Sequence, residues 1–255
     1  MNPADSWEER ISGHWESRNS LMACNLADNS TKVCKPVGYL QIIMARTTHK
    51  FLSTGSDTSD LGHWFLTHNW GEYNITLQDI TPYRPCITNS SGFQTTYRQH
   101  QHYLDITNDN RLPIQEIIED LCMYISQWCD LGDHIVLMID LNEKITSYTV
   151  TEIFVNVGLM EAINHCHCAT GPVPTFQILS HPIYVIYASI TLQLSYGGYL
   201  SFGTIPSYHH LLWLKNDFDS VFGTKIDTLV PHTARALNSQ KPDTVKIYRI
   251  IRELR

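Results

Sequence analysis

Asp140 closes an apolar run, His134 to Asp140 (HIVLMID), and Asn142 follows two residues later. A carboxylate where a buried strand runs out sits at a sheet edge facing solvent, which is where open α/β sheets keep their chemistry. Asp140 and Asn142 are therefore a candidate pair for acid–base work. A buried strand that runs into a turn rich in Asp and Asn accounts for the same residues without any chemistry.

Other clusters carry weaker signals. Asn164 to Cys168 (NHCHC) packs four potential zinc ligands into one stretch, but tetrahedral sites usually take paired ligands from two separated segments. A surface loop before Gly171-Pro172 is the simpler reading. Neither Cys86 nor Cys122 has a histidine at a spacing that supports a nucleophile, so both read as buried structural thiols. Tyr97 to Tyr103 (YRQHQHY) mixes aromatic and basic character, which suits a nucleic-acid backbone and equally a solvated loop. Gly197-Gly198 and Gly203 lack the strand and helix context of a phosphate loop and read as turns.

The elements around Asp140 follow from periodicity. Ile114, Ile117, Ile118, Leu121, Ile125 and Trp128 recur at helical spacing, with Pro113 in the first turn and Leu131-Gly132-Asp133 as the stop. This predicts helix, tight turn, and then a strand buried on both faces. Upstream, Val37–Ala45, His63–Thr67 and Tyr73–Ile80 are expected to form an antiparallel meander with a turn at Trp70-Gly71. A polar loop follows Tyr83-Arg84-Pro85. Downstream, Thr151–Val157 reads as a short helix, Leu159–Ile163 as a brief segment, and Ile183–Ala188 and Leu211–Leu214 as strands. Thr244–Leu254 reads as a weakly amphipathic helix. No strand is expected before Val37.

At 255 residues the chain has the length of one large α/β domain. Its 18 Lys+Arg against 25 Asp+Glu give a net charge of -7, which disfavours broad attraction to a polyanion and demands a local basic patch for nucleic acid. No apolar run approaches the roughly 20 residues needed to cross a bilayer. No membrane association is expected. Seven irregularly spaced cysteines fit reduced thiols, and the expected location is intracellular, nuclear or cytoplasmic.

Six motifs occur in order: Leu61-Gly62-His63-Trp64, Tyr83-Arg84-Pro85-Cys86, Gln99-His100, Asp140 to Glu143, Pro174-Thr175-Phe176 and Ser207-Tyr208-His209. Over about residues 36 to 250 this series resembles the endonuclease/exonuclease/phosphatase superfamily. More narrowly, it is similar to the endonuclease-like domains of retrotransposon-derived proteins. The resemblance implies an α/β fold of two mixed β-sheets packed as a sandwich with flanking helices. It also implies hydrolysis of a nucleic-acid phosphodiester, DNA rather than RNA, by water activated with Mg²⁺ or Mn²⁺. Asp140 would deprotonate the water and hold metal, Asn142 and Arg84 would bind phosphate, and Tyr83 and His209 would contact the scissile group. The Phe222-Gly223, Pro231–Arg235 and Lys246-x-Tyr248 matches imply a piece of a longer polyprotein.

Departures from the pattern are as informative. The Asp that should orient the catalytic histidine is Tyr184, and the Asp before that histidine is Tyr208. A phenol with a pKa of about 10 stays neutral at pH 7 and does not replace a carboxylate. The family's first-strand Asn and second-strand Glu have no equivalent, since Glu8, Glu9 and Glu16 end no apolar strand. His63 and His210 stand where the family has Arg. The expectation is therefore a domain over residues 36–216, after an ill-defined segment 1–35 and before an extension 217–255, lacking its first strand or strands, with activity weakened or lost. The alternative is a non-catalytic module that binds nucleic acid or protein.

Overall fold

The computed structural model describes residues 21–25, 39–43, 50–57, 64–88, 95–142, 148–167, 173–204 and 207–223, the first two of these as backbone alone. Glu143, His63 and the helix expected at Thr244–Leu254 lie outside the described residues, as does most of segment 1–35. Contacts group Met1–Phe222 into one compact unit and Gly223–Arg255 into a second, of which only Gly223 is described.

Two strands come first, Leu21–Asn25 (β1) and Tyr39–Ile43 (β2), paired antiparallel. β1 lies where no strand was expected. Its apolar run is too short to stand out alone, and it is identified only by its partner.

Six strands then form the main sheet: Phe51–Ser56 (β3), Trp64–Trp70 (β4), Thr76–Pro82 (β5), His134–Asp140 (β6), Leu159–Glu161 (β7) and Tyr184–Ser189 (β8). Their spatial order is β3-β4-β5-β6-β8-β7. Every neighbouring pair is antiparallel except β5 and β6, which run parallel. A parallel pair needs a long crossover, and two helices supply it, Thr96–Thr107 (α1) and Pro113–Asp130 (α2). Leu194–Tyr199 (β9) and Leu212–Asn216 (β10) form a separate antiparallel ribbon. Tyr148–Asn156 (α3), Ala162–His167 (α4) and Phe218–Phe222 (α5) complete the unit.

The core divides by strand periodicity. Ile135, Leu137 and Ile139 point to one face of β6 and pack with Ile117, Leu121 and Ile125 of α2, Phe154 of α3 and Val185 and Tyr187 of β8. Each such side chain contributes about 1.5–3 kcal/mol when fully buried. The opposite face carries Leu77, Ile186 and Ala188 against Ala162 and Ile163 of α4, the β9–β10 ribbon and Val221 and Phe222 of α5. The result is the expected α/β arrangement of sheet on sheet with helices outside.

β6 is not buried on both faces as its composition suggests. Met138 is 37% exposed, because the second face is only partly covered toward the end of the strand. That gap becomes important at the site.

α2 starts at Pro113 and ends where Gly132 takes φ +83, a left-handed step that glycine makes without strain. Asp133 then accepts from the Thr76 backbone N–H at 2.8 Å and from Gln78 Nε2 at 2.8 Å, which fixes where β6 enters beside β5. The polar stretch read as a loop is α1. Tyr97, His100 and Leu104 form its buried stripe, and Thr95 caps it by accepting from Arg98 N. Gly197 and Gly198, read as turns, lie inside β9. A Cβ on Gly198 would come within 3.3 Å of Trp213 Nε1, so the absence of a side chain lets the β10 indole lie across the ribbon. Asn164 to His167 fall in or beside α4, a helix rather than the expected loop.

Candidate functional site

The chain beyond β5 stays alongside β6: Tyr83 bridges Asp140 in parallel register and Arg84 N donates to the Asp140 carbonyl at 2.9 Å. Across β6, Asp140 pairs directly with Tyr184 of β8, which places both side chains on one face. A second junction brings in the distant motifs. Phe176 bridges His209, Gln177 N donates to Tyr208 O at 2.9 Å, and His210 N donates to Thr175 O at 2.9 Å. Fully buried Thr175 ties this junction to β8, its hydroxyl oxygen accepting from Ile183 N at 2.8 Å and Tyr184 N at 3.0 Å.

Tyr83, Asp140, Tyr184 and His209 consequently line one cavity of about 470 Å³, walled also by Pro82, Met138, Ile186 and Leu212. The exposed flank of Met138 belongs to this wall. Burial pushes the Asp140 carboxyl up to about 6, a rise partly offset by hydrogen bonds from Asn142 N and the Tyr184 hydroxyl. At neutral pH it is an ionised base of raised basicity, the condition a proton acceptor requires. Burial also raises the Tyr184 phenol, and the adjacent Asp140 charge and hydrogen bond raise it further. Tyr184 is thus a neutral donor to Asp140. Tyr83 is raised chiefly by burial, then by Cys86 and Asp140, with a hydrogen bond to Asn142 opposing.

His209 stands in an aromatic frame. Its ring stacks on Phe176 at 4.7 Å and meets the Tyr184 ring edge-on at 5.0 Å. Burial lowers its pKa, which leaves it neutral at pH 7. Nδ1 is buried without a hydrogen-bond partner among the described residues. Tyr184, at the position where the resemblance calls for an orienting carboxylate, gives its hydroxyl to Asp140 and only its ring to His209.

Two expected roles, phosphate binding by Arg84 and by Asn142, do not fit the geometry. Arg84 is 9% exposed, and its Nε and a terminal nitrogen donate to the carbonyls of Ile114 at 3.2 Å and Leu141 at 3.1 Å. It braces the end of β6 and is not presented to a phosphate. Asn142 does not continue an extended strand. It takes φ +49, donates its N–H to Asp140 Oδ1 at 3.0 Å and its Nδ2 to Arg84 O at 2.7 Å, and so acts by holding Asp140 and Tyr83. Tyr208 is 69% exposed and is not on the cavity wall. Cys86, expected to be buried, is exposed, whereas Cys122 is buried as expected. Sequence reasoning missed the apolar wall of Met138, Ile186 and Leu212, which only the alternation of strand faces reveals.

Sheet order, site and core define an endonuclease/exonuclease/phosphatase-type fold. The solved structures that match carry that fold. One is the 3′ phosphatase NExo from Neisseria, bound to a product DNA hairpin, at 10% identity over 83% of this chain and 84% of that chain, TM-score 0.57. Another is an AP endonuclease from Archaeoglobus fulgidus, at 11% identity over 81% and 82%, TM-score 0.54. A 3′-5′ exonuclease, NExo from Neisseria meningitidis, matches at 10% identity over 81% and 83%, TM-score 0.54. No protein-family model and no curated protein matches the sequence.

Mg²⁺ prefers six oxygen ligands, usually including one or two carboxylates. Among the described residues no group of three His, Cys, Asp or Glu converges, and Asp140 is the one carboxylate on the cavity wall. Neutral phenols and a half-buried imidazole are poor substitutes, so these residues do not fit a tightly held Mg²⁺. Among the described residues no helix is long and apolar enough to cross a membrane.

Proposed function

We propose that this chain is an endonuclease-like domain of retrotransposon origin, spanning residues 36–216 with an extension at 217–255, in which Mg²⁺- or Mn²⁺-dependent phosphodiester hydrolysis is weakened or lost. DNA is the ancestral substrate, the parent is a longer polyprotein, and the location is nuclear or cytoplasmic. Asp140 is the inherited base, Tyr83 and His209 the inherited contacts to the reacting phosphate, and Asn142 the residue that holds the first two in place.

One observation carries the reading: among the described residues His209 Nδ1 is buried without a partner, while Tyr184 directs its hydroxyl to Asp140. An imidazole that acts on a phosphate needs a defined tautomer, which a hydrogen bond to its other nitrogen supplies. Among the described residues that bond is missing. The raised Asp140 remains basic, but it lacks a second carboxylate among the described residues and an oriented histidine. Nicking of supercoiled plasmid with Mg²⁺ or Mn²⁺ tests this, with Asp140→Ala as the comparison. Robust wild-type cleavage that disappears in the variant overturns the proposal.

Retention of the cavity without its full chemistry favours a second reading, a non-catalytic interaction module. It requires DNA or RNA binding that weakens with salt and ignores metal chelation. Absence of binding at low salt removes the nucleic-acid form of that reading.

A further inference from the structure

We propose that the cavity at the end of β6 binds a small organic cation, a methylated ammonium group, held between the Tyr83 and Tyr184 rings and the Asp140 carboxylate. The inference stands whether or not hydrolysis persists, because it uses the cavity as it is now built.

The wall is chemically mixed in a particular way. Met138, Ile186, Leu212 and Pro82 supply apolar surface, Tyr83, Tyr184 and His209 supply rings, and Asp140 supplies one negative charge. No Lys or Arg is among the described lining residues. Arg84, the guanidinium beside Asp140 in the chain fold, is turned to the carbonyls of Ile114 and Leu141. His210 is engaged through Nδ1 with the Leu200 carbonyl.

Each alternative occupant leaves something unpaid. A phosphate would meet a carboxylate with no cation from the described wall, and a bare dication would find one carboxylate where it needs several oxygens. A neutral apolar ligand would displace water from Asp140 and give nothing back. A methylated ammonium meets both demands, since its methyl shell matches the apolar wall while its charge is attracted to ring faces and carboxylate. The volume, about 470 Å³, lies within the range of small-molecule sites. The aromatic parts are fixed in advance: Tyr184 is hydrogen-bonded to Asp140, and the His209 ring is set between Phe176 and Tyr184.

The test is calorimetric titration of the full chain with choline and, separately, with its neutral isostere 3,3-dimethylbutan-1-ol. The expected result is binding of choline at least about tenfold tighter than the isostere, the factor that 1.4 kcal/mol of charge recognition supplies. Asp140→Asn and Tyr83→Leu should each weaken choline by about tenfold or more, with circular dichroism showing an intact fold. Tyr208→Ala, whose exposed ring is off the wall, should keep binding. Equal binding of the isostere, no choline binding up to about 10 mM, or choline binding unchanged in folded Asp140→Asn overturns the proposal. A chain that fails to nick DNA but binds choline separates this inference from the preceding one.

Discussion

Replacing Asp140 by Asn should stabilise the protein at neutral pH and change little in acid. Burial raises the Asp140 pKa from the ordinary 3.8 to about 6, so the folded state binds a proton more tightly than the unfolded chain. Stability therefore falls as pH rises from about 4 to about 6, the interval in which the folded state still holds the proton that the unfolded chain has released. At 1.36 kcal/mol per pH unit, the span from 3.8 to about 6 corresponds to about 3 kcal/mol against the folded state at pH 7. Asparagine removes the charge but accepts less strongly from Asn142 N and the Tyr184 hydroxyl, bonds worth about 1 kcal/mol together after solvent exchange. The net expectation is a gain of about 2 kcal/mol at pH 7 and none, or a small loss, at pH 4. Urea denaturation of both proteins at the two pH values measures it, with equal slopes required for the comparison. Equal destabilisation at pH 4 and pH 7 would refute the reasoning, because it would mean that Asp140 is a supporting residue rather than a strained charge.

Thr175→Val leaves the Ile183 and Tyr184 N–H groups without their acceptor in a fully buried position, and should cost about 2–4 kcal/mol in urea denaturation. Arg84→Ala removes a buried brace from two carbonyls; a loss of about 2–4 kcal/mol in stability is expected, larger than any effect on ligand affinity measured in the folded variant. In wild type, NMR titration of the His209 ring should give a pKa below the ordinary 6.5, since burial penalises its charged form. Tyr184→Asp places a carboxylate at the position whose ring now meets His209 edge-on, and should move the titration upward by about one unit.

What the residues announced in advance follows periodicity. Ile117, Leu121 and Ile125 fixed α2, and Ile135, Leu137 and Ile139 fixed the core side of β6, because apolar spacing was the whole signal. α1 was missed since its buried stripe is Tyr97, His100 and Leu104, one of which is polar. Thr95 ahead of that stripe was the available clue. β3 is an edge strand with most residues exposed, so it offers no alternation and exists through its ladder with β4. β9 was hidden by glycines that make room for Trp213.

At the site, Tyr83, Asp140 and His209 could be placed together from motif order, and the structure puts all three on one wall. The burial of Arg84 could not be foreseen, because an arginine looks the same in sequence whether it meets carbonyls or solvent. Nor could the left-handed turn at Asn142, which converts an expected phosphate contact into a clamp on Asp140. Tyr184 was legible as a missing carboxylate, but its new attachment to Asp140 was not.

The central claim is that the base survives while its histidine partner is left unoriented. It is tested most directly by the rate of Mg²⁺-dependent plasmid nicking relative to Asp140→Ala. The account predicts a ratio within about tenfold, since in a Ser-His-Asp triad losing the orienting carboxylate alone removes on the order of 10⁴. A wild-type rate several orders of magnitude above Asp140→Ala would contradict it.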